Sequence, residues 1–109
     1  MLSKKEFEFK IEEYFKLCQN TNKPFTISGL CLYLKIEKLD FLKYLEIEKT
    51  SFAAKNAKTR IENWIEENAL SGKLNSTMAI FVLKSIFGWS DKETNGKITP
   101  VTIINDLVE

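Results

Sequence analysis

The sequence predicts a mainly α protein, with an N-terminal helix-turn-helix bundle, a central helical hairpin and a short C-terminal β-strand. Three observations carry that prediction. Apolar residues recur at helical spacing through most of the 109-residue chain. Capping and breaking residues divide this pattern into segments of helix length. Only "ITPVTIIND" (98–106) is β-branched and flanked by Asn-Gly and Asn-Asp, as strands are. The divisions implied are 1–50 for the helix-turn-helix domain, 51–93 for central oligomerisation helices and 94–109 for the β segment.

The first helix opens with Ser3 and Glu6 at capping-box spacing, and Leu2 and Phe7 stand where a hydrophobic staple closes over them. Phe7, Ile11, Tyr14, Phe15 and Cys18 then form one stripe, which "QNTNKP" (19–24) ends because Pro24 disfavours helix before it. Thr26 or Ser28 can cap a second, short helix with Ile27, Leu30, Cys31 and Leu34 on one face. "KIEK" (35–38) is a tight connection to a third helix at 39–48. A fourth runs from about Ser51 to Leu70, with Ala54, Ala57, Ile61, Trp64 and Ile65 inward and Ser71-Gly72 as its stop. The fifth, about Ser76 to Phe87, carries apolar residues around more than one face and so needs more than one surface to bury against. Gly88 breaks it, and "SDKETNGK" (90–97) is polar enough to be a loop or linker before the strand. Pro100 cannot donate to a ladder, which places it near the strand's beginning or on an edge.

Composition narrows the function. Histidine is absent, which removes the commonest general base and zinc ligand, and the four glycines are too scattered for a phosphate loop. The expectation is a protein that is not an enzyme and uses neither metal nor cofactor. Cys18 and Cys31 fall on apolar faces and read as reduced core thiols. No apolar run reaches the roughly 20 residues that span a bilayer, and the N-terminus lacks a secretory h-region. A cytoplasmic location is therefore expected.

Residues 27–46 fit a helix-turn-helix, whose purpose is to project the second helix (about 38–47) into a DNA major groove. Leu30, Leu34, Ile36, Phe41 and Tyr44 take the core positions, with Cys31 as the small residue at the crossing. The turn carries Lys35 where glycine is usual. The reading helix has no Arg, Asn or Gln for bidentate base contacts, and Lys38 and Lys43 are offset by Asp40 and Glu46. A second cationic element follows: Lys49, Lys55, Lys58 and Arg60 occupy 49–60 without an acid, although net charge is only +1. The candidate DNA-binding residues are therefore Lys35, Lys38, Lys43, Lys49, Lys55, Lys58 and Arg60, mostly as phosphate contacts.

Four stretches, taken in order, resemble the small terminase subunits of tailed bacteriophages. They are "KPFTISGLCLYLKIEKLDFLKYLE" (23–46), "AAKNAKTRIENWIEENALSGKL" (53–74), "AIFVLKSIFGWSDK" (79–92) and the strand after Gly96. The resemblance implies a DNA-packaging protein that binds double-stranded viral DNA in the host cytoplasm. It implies assembly into a homo-oligomeric ring whose C-terminal strands pair into a shared barrel. It also implies delivery of DNA to a large terminase subunit bearing the ATPase and nuclease. An unpaired strand leaves backbone groups unsatisfied, so pairing between copies is physically reasonable as well. Phe81, Phe87, Trp89, Ile98, Val101 and Ile103 are the candidate oligomerisation residues. The main alternative is a dimeric helix-turn-helix transcriptional regulator, and a third reading is a scaffold with no DNA role.

Overall fold

Residues 1–90 are described by the structure, a computed structural model, and form five α-helices: α1 (Lys4–Thr21), α2 (Ile27–Leu34), α3 (Lys38–Glu46), α4 (Glu48–Leu70) and α5 (Ser76–Phe87). The chain divides into two compact units, one covering Met1–Leu74 with α1 to α4, the other beginning at Asn75 and containing α5.

α1 starts as its sequence dictates. Ser3 Oγ accepts from the Glu6 N–H, and Glu6 Oε1 accepts from the Ser3 N–H, so two otherwise orphaned donors are satisfied. The helix ends at Asn22, whose left-handed backbone (φ 56°) suits asparagine better than most residues. Its predicted stripe, Phe7, Ile11, Tyr14, Phe15 and Cys18, is buried without exception.

Two tyrosines tie the first unit together. The Phe7 and Tyr44 rings stack 4.2 Å apart, and the Tyr44 hydroxyl accepts from the Leu2 N–H at 2.7 Å. Stacking of this kind adds about 0.5–1.5 kcal/mol beyond area burial. Tyr14 reaches from α1 to the start of α2. Its hydroxyl accepts from the Thr26 N–H at 3.1 Å and donates to the Thr26 carbonyl at 3.2 Å. Thr26, rather than Ser28, is the cap of α2, its Oγ1 accepting from the Gly29 N–H at 2.9 Å.

α3 and α4 meet at a single residue, Ile47, whose extended backbone (ψ 125°) breaks what would otherwise be one long helix. The buried Thr50 stabilises the break, because its hydroxyl donates to the Tyr44 carbonyl at 2.8 Å. The predicted boundary therefore shifts: α3 stops two residues before 48 and α4 starts three before Ser51. A local hydroxyl-to-carbonyl bond decided this, and helical periodicity does not register such a bond. Ala54, Ala57, Ile61 and Ile65 are buried as expected, while Trp64 is half-buried and packs on Phe25 with ring centroids 5.7 Å apart. Both cysteines are free and buried.

α5 runs Ser76–Phe87, with Asn75 Oδ1 capping the Met78 N–H and Gly88 in the left-handed region (φ 76°) at its end. The predicted strand at 98–106 and the barrel built from it lie outside the described residues, as do Ile98, Val101 and Ile103.

Candidate nucleic-acid interface

The α2–turn–α3 unit is held by caps at both ends of its turn. Lys35 takes the left-handed conformation (φ 59°) where glycine is usual, so α2 ends and the chain turns toward α3 despite the side chain. A left-handed L-residue costs roughly 1–2 kcal/mol. Two bonds offset that cost: the Lys35 N–H reaches the Leu32 carbonyl at 3.2 Å, and the Ile36 N–H reaches the Cys31 carbonyl at 3.0 Å. Cys31 is buried at the predicted crossing, and burial pushes its thiol above the usual range. Such a thiol is a packing residue rather than a nucleophile.

α3 turns Phe41 and Tyr44 into the core and leaves Leu39, Leu42, Lys43 and Glu46 exposed. These four recur at i, i+3, i+4 and i+7, so they form one solvent face along the helix. Lys35 and Lys38 are exposed at its N-terminal end. Asp40 is partly committed elsewhere: its Oδ2 accepts from the Glu37 N–H at 3.1 Å, which places its charge at the helix start. Lys35, Lys38 and Lys43 take part in no ion pair among the described residues.

The cations of 49–60 do not share one face. On a helix, Lys49 and Arg60 fall about 20° apart, whereas Lys55 stands about 120° from Lys49 and shares its side with Lys58. Lys49 and Lys55 are exposed and Lys58 is half-buried. Arg60 is turned onto α1, where its guanidinium pairs with Glu12 and lies 4.1 Å from the centre of the Phe15 ring. Absence of acids in the linear sequence flagged all four; only the helical wheel separates them.

Sequence reading did not single out an open groove of about 520 Å³ in the first unit, with Lys23, Phe25, Asn63, Trp64 and Lys73 among its walls. Its residues are drawn from the end of α1, the loop after it, the second half of α4 and the turn that follows α4, so no contiguous motif marks it. Among the described residues no cluster of His, Cys, Asp and Glu is placed to hold a metal ion, and no helix is long and apolar enough to cross a membrane.

α5 presents a largely apolar surface. Met78, Ile80, Phe81, Ile86 and Trp89 are each at least 41% exposed, and Phe87 is half-buried. Of the candidate oligomerisation residues, Phe81, Phe87 and Trp89 are therefore at or near this surface.

A family model described as DNA-packaging protein gp3 matches residues 1–95, which span all five helices. No curated protein and no solved structure matches the chain.

Proposed function

The chain belongs to the family of DNA-packaging protein gp3, and on that premise we propose that it is a non-enzymatic phage terminase small subunit. It binds duplex viral DNA through α3 and the surrounding lysines. It assembles into a ring through the region beginning at α5, and presents the DNA to a large subunit that supplies ATP hydrolysis and cleavage. The observation that carries the DNA-binding part is the open face of α3. α3 is the second helix of the pair, its inner side is filled by Phe41 and Tyr44, and its outer residues Leu39, Leu42, Lys43 and Glu46 are exposed among the described residues. Lys35, Lys38, Lys43 and Lys49 supply phosphate contacts around it, and Lys55 with Lys58 supplies a second set. Such contacts add affinity without sequence information.

Two features support assembly. One is the exposed apolar surface of α5, of the kind that marks an interaction site. The other is the near-neutral charge of the α3 region, where a single copy holds DNA weakly and linked copies gain by avidity. Light scattering of the chain with and without duplex DNA tests both parts at once. The expected result is a particle well above dimer size that retains DNA. A stable monomer that leaves DNA behind at low salt would count against the proposal.

A further inference from the structure

The outward face of α3 poses a chemical problem for any DNA reader. It offers no Arg, Asn or Gln, the side chains that grip base edges by paired hydrogen bonds. What it offers instead is two leucines, Leu39 at 63% and Leu42 at 55% exposure, with Lys43 beside them. An exposed leucine by itself needs no explanation. Two on one helix face, where the fold has an inner face for apolar residues and fills it with Phe41 and Tyr44, are a different matter.

From this face we infer that Leu39 and Leu42 read the C5-methyl groups of thymine in the major groove. The inference rests on the DNA-binding role proposed above. The thymine methyl is the one apolar mark on a base edge in that groove, and it distinguishes A·T from G·C without a hydrogen bond. The spacing fits. Residues three apart on a helix are separated by about 4.5 Å along its axis, against about 3.4 Å between successive bases of a strand, so the pair reaches neighbouring base pairs. Charge complementarity favours DNA over an apolar protein partner as occupant. Lys35, Lys38 and Lys43 border the leucines, are exposed, and are free of ion pairs among the described residues, against one exposed acid on that face, Glu46, the Asp40 carboxylate being held by the Glu37 N–H. The reading helix thus selects A·T-containing sites by apolar contact, and the lysines hold it on the backbone.

Substituted duplexes give a direct test. The full chain is titrated at low salt with an A·T-rich duplex, with the same duplex carrying deoxyuridine for thymine, and with a G·C-rich duplex with and without 5-methylcytosine. Loss of each contacted methyl is expected to weaken binding about fourfold, and 5-methylcytosine to strengthen it by a similar factor. The Leu39→Ala/Leu42→Ala variant changes only exposed positions, to a residue that favours helix. It should bind all four duplexes alike and keep the wild-type salt dependence. Equal wild-type affinity for the thymine and deoxyuridine duplexes would overturn the inference while leaving DNA binding in place. Failure to bind any duplex would overturn both.

Discussion

Gly29→Ala tests the join between α1 and α2. A Cβ at this position would lie 2.5 Å from the Tyr14 hydroxyl oxygen and 2.6 Å from Thr26 Oγ1. Neither distance is tolerable, so both the tyrosine and the cap must move. Moving Tyr14 forfeits its two hydrogen bonds to Thr26, each worth about 1 kcal/mol. Rotating Thr26 forfeits the cap on the Gly29 N–H, again about 1 kcal/mol. Alanine in place of a helical glycine returns about 0.5–1 kcal/mol. The net expectation is a loss of about 2 kcal/mol, or a fall in Tm of roughly 8–16 °C for a unit of this size. The assay is thermal unfolding followed by circular dichroism, on Gly29→Ala, Tyr14→Phe and the double variant. The offending oxygen is the same atom that makes the bonds, and the next tyrosine atom, Cζ, would lie at 3.3 Å. The two changes should therefore be less damaging together than the sum of each alone, by about 1 kcal/mol. A Gly29→Ala variant as stable as wild type or more so, the direction helix propensity alone would give, would refute this reasoning. So would strict additivity.

Three further outcomes are expected. Arg60→Ala should lower stability by about 1 kcal/mol, because it removes the contact with Phe15 and a partly screened pair with Glu12; an unchanged urea midpoint would contradict this. Burial holds the Tyr14 phenol and the Cys31 thiol protonated above their usual values of 10.0 and 9.0, so the folded state keeps protons that the unfolded chain has lost. The stability they contribute is fully present below about pH 9 and falls as pH rises beyond it; a Tm that climbs in that alkaline range would show the sign to be wrong. Lys55→Glu with Lys58→Glu should leave helix content intact and make the salt dependence of DNA binding shallower by up to about 2 in slope; unchanged DNA retention would remove this flank of α4 from the interface.

Much of the fold is legible in the sequence because single residues do definable work. Ser3 with Glu6, Thr26 and Gly88 set helix ends through bonds to their immediate neighbours, and such local chemistry reads directly from spacing. The α1 stripe is buried because Phe7, Ile11, Tyr14, Phe15 and Cys18 recur on one helical face. The break at Ile47 was not legible, since it depends on Thr50 reaching back to a carbonyl six residues earlier. Nor was the reason for Gly29, which emerges only when Tyr14, fifteen positions away, arrives beside it. The candidate interface divides in the same manner. Exposed lysines around α3 are evident from the helix-turn-helix spacing. The fate of Arg60, by contrast, depends on Glu12 and Phe15, which the linear charge pattern does not connect to it.

The central claim, that α3 meets duplex DNA with its bordering lysines on the phosphates, is tested most directly by the slope of log affinity against log salt. The comparison is between the wild-type chain and Lys38→Glu/Lys43→Glu, with assembly checked in parallel. The account predicts a steep wild-type line and a variant line shallower by roughly 2, from two lost phosphate contacts. Superimposable lines, or no affinity at any salt concentration, would contradict it.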